Sequence, residues 1–169
     1  MEHDCDIAIL GGGLNGPALA LAAAQVGLRV IVLDATSHKP RKNAKFDGRA
    51  YALALASKRL MAAVGVWENV AQDAEPMLNI RVSDGHAGIG ASPFFMDFDH
   101  AELEEGPMGY MVEDRHLRYA LQAAMQTSPL IEYRLATRVT GQSTGPEGVT
   151  PNGAVILPNQ PPAFTHYTL

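Results

Sequence analysis

The sequence predicts an α/β fold organised around a Rossmann-like βαβ unit, and three observations between Asp6 and Ala35 predict it. An unbroken apolar run, Ile7, Ala8, Ile9 and Leu10, is what a strand buried on both faces of a parallel sheet requires. Gly11, Gly13 and Gly16 then fit GxGxxG. In that spacing the first glycine permits the tight turn, the second lets backbone approach a pyrophosphate, and the third lets helix pack closely on strand. Finally, Asp34 closes a second apolar strand, Arg29 to Leu33, 18 positions beyond Gly16. There it is placed to accept hydrogen bonds from an adenosine ribose.

Between the two strands a helix follows from Pro17, tolerated in a first turn that needs no N–H, from the small Ala20, and from Gly27 as its end. The spacing GxGxxGxxxA, followed after six residues by glycine, is the form found in flavoproteins that bind the ADP half of FAD. Asp34 by itself suits FAD and NAD equally. The polar residues Thr36, Ser37, His38, Lys39, Pro40, Arg41 and Lys42 make a loop. From Asp47 to Val70, Leu and Ala alternate before helical spacing takes over. Ser57 is the expected N-cap, Leu60, Met61 and Val64 share one face, Gly65 closes the helix, and Trp67 and Val70 pack just beyond.

Asn79 to Asp84 reads as a short strand with Gly85, Gly88 and Gly90 as loop signals. Ser92 to Glu105 carries Phe94, Phe95, Phe98 and the acids Asp97, Asp99, Glu102, Glu104 and Glu105. Two readings stand for it: part of a substrate-facing sheet, or a surface hairpin with a buried aromatic stripe. Tyr110 to Val112 is another strand. A helix begins at Asp114, since Leu117, Ala120, Leu121, Ala124 and Met125 form one stripe and Ser128–Pro129 ends it. Ile131 to Leu135 is then expected to join the sheet begun by Ile7 to Leu10. From Gly141 onward there is no Lys or Arg, and five of the eleven prolines (Pro146, Pro151, Pro158, Pro161, Pro162) crowd the last 24 residues. An irregular tail over 141–169, with at most a short strand from Ala154 to Leu157, is the expectation.

The totals narrow the function. The 169 residues suit about one domain, and 47% hydrophobic content supplies a core. A formal charge of −5 and a pI near 5.6 leave no basic footprint, so no nucleic-acid partner is expected and small molecules are. Cys5, alone, excludes an internal disulfide and fits a reducing compartment. The six histidines never fall at short ligand spacing, so no metal site is expected. With neither a signal peptide nor a membrane-spanning run, the expected location is the cytoplasm.

Three blocks together resemble the FAD-dependent aromatic hydroxylases related to the ubiquinone-biosynthesis monooxygenases, which share the para-hydroxybenzoate hydroxylase fold. They are GGGLNGPALALAAAQVG with Asp34, then DGRAYALALASKRLMAAVGVW, then GYMVEDRHLRYAL, and they cover residues 6 to about 125. The second is the most specific and points to the quinone branch. The resemblance implies an incomplete FAD-binding domain of the para-hydroxybenzoate hydroxylase type. Residues 1–140 would be its N-terminal part, and 79–112 the start of a substrate-facing sheet.

It also implies roles. Gly11, Gly13 and Gly16 would hold the FAD pyrophosphate, Asp34 the adenosine ribose, and Arg49 the phosphates or ribityl chain. Arg115 would assist from the start of the last helix, and both arginines would converge near the mouth of the glycine turn. A guanidinium is always charged and matches a phosphate bidentately. The implied reaction is hydroxylation of a polyprenyl-phenol ubiquinone precursor with NAD(P)H as reductant and O2. Peripheral membrane association is open to full-length members, and the oligomeric state is not legible. The family's later DG and GD motifs are absent. Asp47–Gly48 is a DG pair, but it belongs to the second block. The expectation is therefore a truncated chain, or a fragment that binds ADP or FAD weakly without turnover. Another flavin-dependent oxidoreductase is the alternative. No catalytic side chain is assigned, because the acids between 97 and 105 show no pair spacing.

Overall fold

The computed structural model describes residues 4–37, 39–40, 43–102, 105–145, 148–155 and 163–166. Strand β1 (Ile7–Leu10), helix α1 (Asn15–Gln25) and strand β2 (Val30–Leu33) form the expected βαβ unit. The two strands run parallel, with Ile7 opposite Val30 and Leu10 opposite Leu33. All four residues of β2 are buried, which is why the run is apolar without alternation; β1, at the end of the strand order, is not buried on both faces as expected, since only Ile9 is buried and Leu10 is exposed.

The chain continues through β3 (Ala50–Ala54), α2 (Leu55–Ala63), β4 (Ala74–Met77), β5 (Asn79–His86), β6 (Gly90–Asp99), β7 (Gly109–Glu113) and α3 (Asp114–Thr127). It ends in β8 (Ile131–Arg134), β9 (Thr137–Gly145), β10 (Gly148–Val155) and β11 (Ala163–His166). β8 lies parallel to β2, so the nucleating sheet has the order β1-β2-β8. The other strands form an antiparallel sheet β3-β7-β4, a two-stranded hairpin β5-β6 and a sheet β11-β10-β9.

The period-two geometry of β2 divides the core between its faces. Val30 and Val32, with Ile9, pack beneath α1 and α3 against Ala20, Leu21, Leu117, Leu121 and Met125. Ile31 and Leu33 face the other way, onto Cys5 and Val139 of β9. Burial pushes the Cys5 thiol pKa up, as befits a small residue in a core. Trp67 and Val70 are buried, and the Trp67 ring meets Tyr110 edge-on at 4.9 Å. No helix among the described residues is long and apolar enough to cross a membrane.

Several expectations are corrected. α2 starts two residues before Ser57, with Ala54 at its N-cap and no side-chain cap, because β3 runs directly into the helix. Gly65 does close it at φ +75°, but Leu60 is exposed while Met61 and Val64 are buried. Residues 92–99 form one arm of a hairpin whose aromatics are not buried. Phe94, Phe95 and Phe98 are all exposed, Phe94 at 84%.

The tail is not irregular where it is described. β9 and β10 pair antiparallel from Gly145 opposite Gly148 onward. Pro151 is accommodated beside a register shift at Asn152/Gly153, a position where a strand tolerates the lost N–H. β-branched Thr137, Val139, Thr140, Thr144, Val149 and Thr150 favour the pairing. His38, Arg41, Lys42, Glu104, Pro146, Pro158, Pro161, Pro162 and residues 156–157 of the expected last strand lie outside the described residues.

Candidate nucleotide site

The site forms where β1 and β2 end and α1 begins. Gly11 turns the chain at φ +107°, a conformation that L side chains rarely adopt. Its N–H donates to the Leu33 carbonyl at 2.8 Å. At Gly16 a Cβ would collide with the Gly11 carbonyl, so strand and helix approach as closely as a glycine permits. α1 begins with no side-chain cap and no acid in its first turn. A helix N-terminus of that kind presents free N–H groups and a positive dipole end to an anion.

Asp34 stands at the tip of β2, half-buried. Its Oδ2 accepts the Gly12 N–H at 3.1 Å and the Tyr133 hydroxyl at 3.2 Å, while Oδ1 accepts the Thr36 N–H at 2.9 Å. The carboxylate is therefore tied to the turn it was expected to accompany. Burial, with the Asp34 charge, pushes the Tyr133 hydroxyl pKa far above that of an ordinary tyrosine.

A cationic cleft of ≈ 300 Å³ lies alongside, lined by Lys39, Lys45, Arg49, Arg115 and Arg118, with Asp47 and Asp114 among them. Arg49 and Arg115 thus share one cleft, although 66 positions separate them in the chain. Arg49 pairs with Asp47 at 2.6 Å and Asp114 at 3.3 Å. The hydrogen bonds that Arg49 donates to the Asp47 carboxylate, more than any other contact, raise its already high pKa. Arg115 pairs with Glu113 and donates to the Ala44 carbonyl at 2.7 Å.

The arginine at the turn itself is Arg118, whose Nη1 lies 3.9 Å from where a Cβ on Gly13 would be. It grips Asp114 with Nε and Nη2, both at 3.0 Å. Asp114 is 3% exposed and also accepts the Tyr51 hydroxyl at 2.9 Å. Arg118, Asp114, Tyr51, Gly12 and Tyr133 were not singled out from the sequence. For one pair a signal existed, since Asp114 and Arg118 stand at i and i+4 of a helix.

These features fit a dinucleotide. A turn in which Gly11 takes a positive φ and Gly12 and Gly16 leave no room for a Cβ, an uncapped helix N-terminus and a guanidinium beside it suit a pyrophosphate, and the carboxylate at the strand tip suits a ribose. Among the described residues no group of His, Cys, Asp and Glu side chains gathers as metal ligands.

Known proteins agree in kind. The profile of a family described as FAD binding domain matches residues 4–156. The chain is 39% identical over 145 residues to a ubiquinone hydroxylase, UbiL, of Rhodospirillum rubrum, covering 86% of this chain and 32% of that one. It is 34% identical over 132 residues to the 3-demethoxyubiquinol 3-hydroxylase of Escherichia coli, covering 77% of this chain and 32% of the relative. The p-nitrophenol 4-monooxygenase PnpA of Pseudomonas putida superposes with a TM-score of 0.69 at 20% identity, over 95% of this chain and 38% of that one. This chain thus spans about a third of the length of the curated relatives it matches.

Proposed function

We propose, from the premise that the chain belongs to the FAD binding domain family, that it supplies the ADP-binding part of a flavin-dependent monooxygenase. In this reading the enzyme hydroxylates an aromatic ring of a ubiquinone precursor. The observation that carries the nucleotide half is the meeting of the glycine turn, Asp34 and Arg118 at one end of the parallel sheet. The hydroxylase half is supported by what the Rhodospirillum rubrum and Escherichia coli relatives are named for. FAD, when bound, supplies the redox chemistry, taking electrons from NAD(P)H and passing them to O2.

This chain's residues bind and orient. The backbone amides of the turn and the start of α1 receive the pyrophosphate, with Gly11, Gly13 and Gly16 keeping the approach clear. Asp34 accepts a ribose hydroxyl. Arg118 adds positive charge at the turn, and Arg49 and Arg115 extend it along the cleft toward the phosphates or ribityl chain. Asp114 holds Arg118 with two hydrogen bonds, so less of that side chain's entropy remains to be lost on binding. The substrate in this reading is a polyprenyl phenol drawn from a membrane that no described helix of the chain crosses, with the catalytic domain on its cytoplasmic side.

A chimaera tests it. This chain, replacing the matching segment of the Rhodospirillum rubrum relative, should yield a yellow protein that consumes NAD(P)H and hydroxylates the relative's quinone substrate. A folded chimaera that lacks flavin overturns the nucleotide assignment. One that retains flavin yet leaves the quinone untouched overturns the substrate assignment alone.

A further inference from the structure

Tyr133 belongs to β8, opposite Val32 of β2, and its ring packs against the core beneath α1 and α3. Its hydroxyl, with the adjoining ring edge, reaches the glycine turn, where it donates to Asp34 Oδ2 at 3.2 Å. The same oxygen accepts the Gly12 N–H at 3.1 Å. A Cβ on Gly12 would collide with both Asp34 Oδ2 and the Tyr133 hydroxyl, so these three groups close on one another without slack. A carboxylate offers about four acceptor positions, two on each oxygen. Among the described residues, Oδ2 uses both of its positions, while Oδ1 uses one, for the Thr36 N–H at 2.9 Å.

We propose that Tyr133 is a positioning residue for nucleotide recognition, pinning Asp34 Oδ2 to the glycine turn so that Oδ1 keeps a single open acceptor for one hydroxyl of an adenosine ribose. This rests on the reading of Asp34 as the ribose acceptor and adds two things to it. Recognition is concentrated on one of the two ribose hydroxyls, because one acceptor position remains. It also depends on a residue of β8 whose hydroxyl acts through Asp34. Without the tyrosine hydroxyl, Oδ2 has an acceptor position to offer beside the one left on Oδ1, and the preference for one hydroxyl is lost.

The test is a titration of the full isotope-labelled chain with ADP, 2′-deoxy-ADP and 3′-deoxy-ADP, followed on the amide resonances of residues 11–16. The wild-type chain should favour ADP over one of the two deoxy analogues by about tenfold, the worth of one hydrogen bond to a charged acceptor. Tyr133→Phe should reduce that preference to about twofold or less while still binding the disfavoured analogue as wild type does. A wild-type chain that binds none of the three, or binds them equally, overturns the reading of Asp34. A wild-type preference that Tyr133→Phe leaves intact, or a variant that weakens all three nucleotides alike, overturns the role of Tyr133 while the reading of Asp34 stands. The tyrosine hydroxyl proton of the wild-type chain gives a second reading should the variant fail to fold. It should shift on saturation with ADP and not with the disfavoured analogue, and a signal unmoved by both overturns the proposal.

Discussion

Asp114 shows how one side chain can hold a site together. It is buried at the head of α3 and receives Arg118, Arg49 and the Tyr51 hydroxyl. The Arg118 hydrogen bonds hold its carboxyl below the usual carboxylate range against the opposing effect of burial. A carboxylate with a depressed folded-state pKa contributes stability that is present above its unfolded value, about 3.9, and is lost as pH falls through the folded one. Asp114→Asn should therefore lower folding stability by about 1–3 kcal/mol at pH 7 in urea titration. It should also make the stability of the variant less dependent on pH below about 4. Gly16 is the backbone counterpart. Gly16→Ala places a methyl group against the Gly11 carbonyl, which cannot rotate away as a side chain can. A loss of about 1–3 kcal/mol should appear in the same titration, together with loss of ADP binding.

Among the elements, the β5-β6 hairpin is the least like its neighbours. Ile80 stands opposite Phe98, and Val82 opposite Met96, so Ile80, Val82, Phe94, Met96 and Phe98 fall on one face by period-two alternation. All five are exposed. Arg81 and Asp97 pair across the other face. Such a contiguous apolar face is unusual on a monomer's surface. The chain should enhance the fluorescence of a hydrophobic dye such as ANS. The double variant Phe94→Ser with Met96→Ser should reduce that signal severalfold while leaving the unfolding midpoint nearly unchanged, since exposed substitutions cost about 0.5 kcal/mol or less. An unchanged signal would place the dye elsewhere, for example in the groove between α1 and α3 lined by Leu21, Ala24, Tyr119 and Ala123.

At the scale of the whole molecule, the features read correctly from the sequence are those whose pattern is local and repeated. The apolar runs of β1 and β2, the glycine spacing and the stripe on α3 each lie within about 15 residues and follow from period or turn chemistry. Strand β8 is legible for the same reason and joins the sheet begun by β1 as expected, while its place beside β2 is set by long-range packing. What escaped was set by contacts between distant segments or by tolerance of an unfavourable residue. Pro151 and the glycines around it obscured β9 and β10, because a bulge beside a proline leaves no local mark. The sequence does not separate Arg118 from Arg115, since choosing between them requires knowing which face of α3 looks onto Gly13. The Tyr133 contact spans 99 positions, and nothing near either residue announces it.

That separation also orders events in time. β2 is complete once 33 residues have been made, but its second neighbour, β8, ends at residue 134, and every strand from β3 to β7 must be synthesised in between. Parallel pairing across so long a stretch closes slowly, because the entropy of the intervening loop is lost before the contact is gained. On a ribosome adding about 5–20 residues each second, the turn and first helix wait several seconds before Tyr133 can reach Asp34. The nucleotide pocket thus cannot mature before β8 is made, and until then the apolar edge of β2 is open to whatever binds nascent chains.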